Sequence, residues 1–227
     1  MDTGDRTIGA GAETSDGPIG GRLYEQLRDD VLAGEFGPAS LLHETTLTAR
    51  YQVSRTPIRE ALARLEQDGL LERAARGYRV RAGTPGDVLE IYEARIALEG
   101  LVAARAARGC SDLELARLEF LAQAAATADN PDDERRLNAQ WHRDLWTAAG
   151  NATVTNLLVR LTTQLRIYDG RRVEDQDDLT QSRAEHAELL DALRTRDPER
   201  ARAASDRHLE RSRALRLRDY AAAIPTH

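Results

Sequence analysis

Three histidines in the C-terminal part of the chain are the residues best suited to metal chemistry. His142, His186 and His208 lie on three separate stretches whose apolar residues recur at helical spacing. If those helices pack together, the imidazoles can converge on one divalent ion such as zinc. Asn138 precedes His142 by one helical turn and shares its face, so it is a candidate fourth ligand. A histidine on a helix is more often a surface or satisfied core residue, so both interpretations stay open from these residues alone.

A second cluster has the composition expected at the start of a DNA-reading helix. Ser54 is a suitable N-cap, and Pro57 fits the first turn. Arg55 and Arg59 are four residues apart and therefore share one helix face. An arginine can bind guanine O6 and N7 with two hydrogen bonds, and Thr56 can contact a phosphate or a thymine methyl. Taken alone, such a pair of arginines is more often an ordinary solvated surface.

The elements around these arginines predict a winged helix-turn-helix. Helical spacing and stop signals predict helices over residues 22–33, about 44–51 and about 55–68. Residues 70–81 predict two short strands joined at Arg76-Gly77. In this arrangement the third helix reads the major groove. The tip of the hairpin suits a wing that enters the minor groove, since Gly77 lets the backbone approach closely.

The remainder of the chain predicts only helices. They are expected at about 87–108, 111–127, 134–149, 153–168, 179–195 and 199–220, with loops at 129–133 and 174–178. The fold class is therefore mainly α, an N-terminal winged helix-turn-helix followed by a C-terminal antiparallel all-helical bundle. We expect three segments: a disordered tail over residues 1–17, a DNA-binding domain over 18–82, and a ligand-binding and dimerisation domain over 83–227.

Composition limits the class of protein. The net charge of -6 argues against non-specific nucleic-acid binding as the main role. The charge is unevenly distributed, because residues 18–82 carry ten arginines against nine acids while the rest of the chain is acidic. Cys110 is the single cysteine, so a disulfide framework within the chain is excluded. No apolar run approaches about 18 residues, and the N-terminus lacks a signal peptide's apolar stretch. We therefore expect a cytoplasmic protein without a membrane partner.

The N-terminal motif resembles a known family. Residues 53–71, Val-Ser-Arg-Thr-Pro-Ile-Arg-Glu-Ala-Leu-Ala-Arg-Leu-Glu-Gln-Asp-Gly-Leu-Leu, followed by Arg-Gly-Tyr-Arg-Val at 76–80, are similar to the DNA-binding domain of GntR-family regulators. The resemblance implies base contacts from Arg55 and Arg59. It also implies supporting contacts from Ser54, Thr56 and Arg64, a wing contact at Gly77, and a backbone contact at Thr45. The turn at Gly37-Pro38-Ala39 departs from the family's usual Pro-Gly order.

The C-terminal part resembles the FCD ligand-binding domain of the FadR-like branch of that family. The resemblance rests on the segments Tyr92–Glu99, Asn138–His142, Ala149–Asn151, Glu185-His186 and His208-Leu209, and covers about residues 87–218. Metal-binding members use an aspartate four residues before the first histidine, together with three histidines. Here Asn138 stands at that position, which removes one negative charge. The resemblance implies a divalent metal held by Asn138, His142, His186 and His208, with zinc expected and nickel or manganese as alternatives.

The effector implied by the resemblance is a small carboxylate bound to the metal and to nearby polar groups. Arg95 is a candidate partner for it, although a salt bridge to Glu99 one turn later is an equal alternative.

Together these features predict a transcription regulator and not an enzyme. We expect a homodimer that binds a palindromic operator in double-stranded DNA. The DNA-bound protein would be associated with the nucleoid, and the effector would control its binding. One alternative keeps the regulator but replaces the metal with a larger organic ligand such as an acyl thioester. A remote alternative is a metal-dependent hydrolase with Glu185 or Asp144 as general base.

Overall fold

The computed structural model describes residues 18–37, 40–167 and 176–222. The expected disordered tail, residues 1–17, lies outside these ranges. The chain divides into two compact units, residues 1–82 and residues 83–227. Within the described residues, no helix is both long enough and apolar enough to cross a membrane.

The N-terminal unit is a winged helix-turn-helix, as predicted. Its elements are α1 Pro18–Leu32, β1 Leu41–Leu42, α2 Glu44–Tyr51, α3 Arg55–Gln67, β2 Leu71–Arg73 and β3 Tyr78–Val80. The three strands form an antiparallel sheet in the order β1-β3-β2. The predicted core positions Ile58, Leu62 and Leu65 of α3 are fully buried. They anchor α3 from one side and leave its opposite face exposed.

Strand β1 is the element that the sequence pattern does not predict. Leu41 and Leu42 pair with Arg79 and Tyr78 of β3. Two residues are too few to show the alternation of a strand. Their pairing partner is far along the chain, so only the folded unit defines this strand.

The connection between α2 and α3 is tight and sets where α3 begins. Gln52 adopts the left-handed conformation, with φ 55°, and ends α2. Ser54 has extended backbone at the predicted N-cap position, but its side chain makes no capping hydrogen bond. The position of the predicted cap is therefore right, while its hydrogen bond is absent.

The C-terminal unit consists of helices throughout the part that the structure describes. They are α4 Pro85–Gly109, α5 Asp112–Ala126, α6 Pro131–Ala148, α7 Ala152–Ile167, α8 Gln176–Arg194 and α9 Pro198–Ala222. Thr84 and Ser111 begin α4 and α5 with complete capping boxes to Asp87 and Glu114. The mainly α fold class is confirmed.

Two helices of this unit begin three residues earlier than predicted. Helix α6 starts at Pro131 and not at 134, because the side chain of Asn130 accepts a hydrogen bond from the Asp133 N–H. Helix α8 starts at Gln176, so residues 176–178 are its first turn and not part of an acidic loop. The rest of that predicted loop, residues 174 and 175, lies outside the described residues.

The apolar core fixes the helices that carry the three histidines. Trp141, Leu145 and Trp146 of α6 are almost completely buried and pack with apolar residues of α4, α5, α7, α8 and α9. Helix α4 packs along α9, and the two helices approach each other closely at Gly100. An added Cβ at Gly100 would collide with the Asp206 carboxylate. The histidine-bearing faces of α6, α8 and α9 are therefore held by packing on several sides.

Candidate DNA-contact surface and candidate metal centre

The first turn of α3 presents an exposed basic face. Arg55, Thr56 and Arg59 are all exposed, and the side chain of Arg59 is 63% accessible. The Nε of Arg59 donates to Glu44 Oε2 at 2.8 Å, so the first residue of α2 holds this arginine in place. Thr45, the next residue of α2, is also exposed. The structure thus brings together Thr45 of α2 and the polar first turn of α3 around one salt bridge.

Arg64 lies at the opposite end of α3 from this basic face. Its guanidinium lies 4.0 Å from the centre of the Tyr24 ring, a cation–π contact. The hydroxyl of Tyr24 donates to Asp68 at 2.5 Å. Burial and this hydrogen bond raise the pKa of Tyr24 to about 12. Arg64 therefore has a packing role between α1 and α3, and its supporting contact to DNA stays a prediction.

Gly77 is required by the fold of the wing itself. Its φ is +92°, a region that residues with a side chain rarely adopt. An added Cβ would lie 2.6 Å from the carbonyl oxygen of Leu42 in β1. The hairpin closes with a hydrogen bond from the Ala74 N–H to the Gly77 carbonyl at 3.1 Å. The close approach at Gly77 is thus to the protein's own backbone, and its predicted contact with DNA remains untested.

The three C-terminal histidines converge. His142 of α6, His186 of α8 and His208 of α9 each place one ring nitrogen within 4.8 Å of the other two. The ring centres are 4.8 to 5.3 Å apart. Residues on three separate helices therefore form one cluster, as the helical pattern had suggested.

The His186 ring is deeply buried, and burial favours its neutral form. It is 7% exposed and stacks on the Trp141 ring at a centroid distance of 4.1 Å. Burial, and then the nearby charges of His208, His142 and Arg211, lower its pKa well below the usual value. A neutral imidazole keeps the lone pair that a metal ion needs.

The donor set fits a borderline divalent metal. His186 Nε2 is buried without a hydrogen bond, an arrangement that is costly unless another group satisfies the atom. His142 Nδ1 is also buried without a hydrogen bond, and the Glu99 carboxylate lies 3.4 Å from it. Four-coordinate zinc holds nitrogens at about 2.1 Å, and hence about 3.4 Å from each other. The observed nitrogen separations of at most 4.8 Å reach that value with small side-chain rotations. Asn138, one turn before His142 on α6, lines the same cavity and is half-buried.

Arg95 is held by Glu99. Its Nε and Nη2 donate to Glu99 Oε1 at 2.9 and 2.6 Å, and both side chains are buried. The indole N–H of Trp146 donates to the other Glu99 oxygen at 3.2 Å. Burial alone would raise the pKa of Glu99, but Arg95 and His142 outweigh it and lower that pKa to about 2. Of the two alternatives for Arg95, the structure contains the salt bridge, and an effector contact stays a prediction.

Two further polar residues of the site were not among the predicted ligands. Glu185 Oε2 is 2.7 Å from His208 Nδ1, and Arg211 donates to both oxygens of Glu185 at 2.7 and 3.0 Å. Burial would raise the pKa of Glu185, but His208 and Arg211 lower it to about 2. The sequence signals were the position of Arg211, one turn after His208, and that of Glu185, next to His186. From the sequence, Glu185 was expected as part of an FCD-like segment and as the general base of the hydrolase alternative, without a contact to His208.

A cavity of about 1010 Å³ surrounds the histidine cluster. The three histidines, Asn138, Arg95 and Arg211 all line it. Apolar side chains from α5, α7 and α8 form other parts of its wall. Cavities of this size accept molecules as large as drugs, and a few polar groups orient the ligand within a mainly apolar wall.

Comparison with family models accounts for most of the chain. A model described as the FCD domain matches residues 90–211, and a model described as bacterial regulatory proteins of the gntR family matches residues 20–78. The two matches coincide with the histidine-bearing helices and with the winged helix-turn-helix.

Several curated proteins are similar in sequence. An uncharacterized HTH-type transcriptional regulator, YdhC of Bacillus subtilis, is 36% identical over 142 residues, which are 60% of this chain and 63% of the relative. A regulator of Agrobacterium vitis is 39% identical over half of its own length. The repressor GlaR of Escherichia coli is 29% identical over 82% of this chain and 90% of its own. The first two alignments thus span less than two thirds of those proteins, and all three relatives are regulators rather than enzymes.

Solved structures share the fold. McbR/YncC of Escherichia coli has a TM-score of 0.73 at 21% identity, covering 89% of this chain and 98% of its own. A transcriptional regulator from Rhodococcus sp. RHA1 has a TM-score of 0.69 at 24% identity, covering 91% and 99%. At these identities the likeness shows the fold alone.

Proposed function

Because this chain belongs to the GntR family of bacterial regulatory proteins and carries an FCD domain, we propose that it is a ligand-responsive transcription regulator. Its N-terminal unit binds an operator in double-stranded DNA. Its C-terminal unit binds a small effector at the three-histidine cluster. The two-part division into a DNA-binding domain over 18–82 and a ligand-binding and dimerisation domain over 83–227 belongs to the same proposal.

DNA recognition is assigned to the exposed basic face. Arg55 and Arg59 read base edges in the major groove, since both are exposed at the start of α3. The supporting contacts are assigned to Thr45, Ser54, Thr56, Arg64 and Gly77. The protein acts as a homodimer, because a two-fold symmetric protein reads the two halves of a palindromic operator.

The sensing part rests on one observation, the convergence of His142, His186 and His208 inside a cavity. These three residues, with Asn138, would hold a divalent metal, with zinc expected and nickel or manganese as alternatives. When bound, the metal supplies a Lewis-acid centre to which an oxygen of a small carboxylate can coordinate. Arg95 lines the cavity and keeps N–H donors beyond the two that bind Glu99, so it is the proposed polar partner of the effector.

Effector binding would then change DNA affinity. A ligand shifts a conformational equilibrium only by its difference in affinity between the two states. Couplings of this kind amount to about 1–3 kcal/mol, or roughly 5- to 150-fold in operator affinity.

The test is the metal content of the purified protein, followed by operator binding. We expect about one transition-metal ion per chain in the unaltered protein and its loss in His186→Ala. His43→Ala is the matched control, because this histidine belongs to the N-terminal unit. Small carboxylates are then added to the DNA complex of the metal-loaded protein, and the change in affinity is measured. No bound metal after incubation with zinc, nickel and manganese would contradict the metal-dependent form of the proposal.

The volume of the cavity supports a second candidate. About 1010 Å³ is far more space than a small carboxylate fills, so the same regulator could accept a larger organic ligand without a metal, such as an acyl thioester. In that form the histidines act as hydrogen-bonding residues of the cavity. Metal-free protein whose operator binding responds to the larger ligand would favour this candidate over the first.

A further inference from the structure

Two of the three clustered histidines have a carboxylate behind the ring. His208 Nδ1 lies 2.7 Å from Glu185 Oε2, within hydrogen-bonding distance. His142 Nδ1 lies 3.4 Å from Glu99 Oε2, an ionic contact too long for a good hydrogen bond. Glu185 is on α8 and Glu99 is on α4, so each carboxylate reaches its histidine from a different helix.

An arginine fixes each of these carboxylates. Arg211 binds Glu185 through Nε and Nη2, and Arg95 binds Glu99 through the same two atoms. Arg211 donates to both oxygens of Glu185, and two such parallel bonds hold a carboxylate in one orientation more firmly than a single donor does. Both donors of Arg95 bind Glu99 Oε1, and the indole N–H of Trp146 binds the other oxygen. The arginine also balances the negative charge that the buried carboxylate would otherwise bring to the cavity.

The third histidine is supported differently. Its ring is held by face-to-face stacking on Trp141. Its Nε2 is buried without a hydrogen bond. The cluster therefore contains two rings backed by an Arg–Glu pair and one ring backed by an indole.

We propose that Glu99 and Glu185 are positioning residues for the metal-binding histidines, each orienting one ring through Nδ1 and leaving Nε2 to bind the metal. A carboxylate that accepts the Nδ1 proton fixes the tautomer of the ring and makes the other nitrogen a stronger donor. Arg95 and Arg211 act one step further away by holding the carboxylates. This inference rests on the metal-binding form of the function proposed above.

Another Arg–Glu pair of the C-terminal unit offers a matched control. Glu134 Oε1 accepts from both Nε and Nη2 of Arg183 at 3.0 and 2.8 Å, so it too is a carboxylate paired with an arginine. Both residues line the cavity. The difference is that the hydrogen bonds of Glu134 come from an arginine, whereas Glu185 also contacts a histidine ring. Replacing Glu134 with glutamine therefore removes one negative charge near the cavity, as Glu185→Gln does, without removing a contact to a proposed metal ligand.

The experiment measures zinc affinity of the full-length, metal-free protein by competition with a chromophoric chelator. Glu185→Gln should weaken zinc binding by roughly 10- to 100-fold, the usual effect of removing such a partner. Glu134→Gln should leave zinc affinity unchanged. With cobalt in place of zinc, the visible absorption bands should shift in Glu185→Gln and not in Glu134→Gln. Urea unfolding of each metal-free variant separates loss of ligand orientation from loss of folding.

Three outcomes would overturn the inference. Zinc affinity and cobalt spectrum equal to the unaltered protein in Glu185→Gln would show that the carboxylate does not position His208. Equal weakening in both variants would assign the effect to charge alone. Absence of metal binding by the unaltered protein would contradict the metal-dependent function as well, whereas the first two outcomes leave that function intact. Glu99→Gln serves as the second variant, read by the same cobalt spectrum, provided that its unfolding curve matches that of Glu134→Gln.

Discussion

The surface at the start of α3 and the histidine cluster of the C-terminal unit are built in opposite ways. Arg55, Thr56 and Arg59 come from a little more than one turn of a single helix and are exposed to solvent. His142, His186 and His208 come from three helices and are mostly buried. The first site needs only one well-anchored helix, whereas the second exists only when the whole unit is packed.

This difference predicts how each site tolerates change. Exposed side chains contribute little to folding, so replacing them alters binding while the unit stays folded. The buried cluster shares its neighbours with the core, because Trp141 both stacks on His186 and fills the centre of the unit. We therefore expect binding and stability to be separable at the first site and coupled at the second.

The largest effect should come from Trp141→Ala. This side chain is 1% exposed, and its removal leaves a large void, so the free energy of unfolding should fall by about 3–5 kcal/mol. Urea unfolding monitored by circular dichroism measures the change. Phe120→Ala is the control, since that aromatic ring is 62% exposed in the same unit. Comparable losses in the two variants would mean that the cluster is not part of the core.

A change of intermediate size is expected for Arg59→Ala. Specific operator binding should weaken by about 1–3 kcal/mol, because an arginine that reads a base with two hydrogen bonds contributes that amount to discrimination. Metal content and urea unfolding should stay the same, which tests the separation between the two sites. Binding is measured by fluorescence anisotropy against operator and scrambled DNA. Unchanged preference for the operator would remove Arg59 from the reading surface.

The smallest effect should come from Glu44→Gln. The Arg59–Glu44 pair is partly exposed, with side chains 63% and 32% accessible, so its loss should change the free energy of unfolding by less than about 1 kcal/mol. Its effect on DNA binding should be visible in specificity, since Arg59 loses the partner that orients it. The ratio of operator to scrambled-DNA affinity at one salt concentration measures this. A ratio equal to that of the unaltered protein would mean that DNA orients Arg59 without Glu44.

Much of the N-terminal unit could be predicted from short-range signals. The N-cap position at Ser54, the apolar spacing of Ile58, Leu62 and Leu65, and the glycine turn at Gly77 lie within a few residues of the elements that they define. Strand β1 escaped prediction because its pairing partner in β3 is distant in sequence. From the sequence, Gly77 was expected to allow a close approach to DNA. The structure gives a second reason for a glycine at this position, because a Cβ would collide with the carbonyl of Leu42.

In the C-terminal unit, the features that the sequence predicts are of a different kind. Helical periodicity and the three histidines could be read from the sequence, as could a likeness to the FCD domain. The neighbours of each histidine could not, because α4, α8 and α9 meet only after the core of the unit has formed. Arg95 illustrates the limit: its spacing to Glu99 left a salt bridge and an effector contact equally possible. Burial and the Trp146 hydrogen bond then fixed the salt bridge.

The sequence by itself determined the helices, the basic first turn of α3 and the identity of the candidate metal ligands, since these depend on local spacing and on residue type. The tertiary structure decided which carboxylate lies beside His208, which lies beside His142, and how large the cavity around the cluster is. Those properties arise from groups far apart in the chain that are brought within hydrogen-bonding distance only by packing of the apolar faces. Hydrophobic burial is non-directional, so a helical pattern specifies that a face is buried without specifying which polar group it will meet.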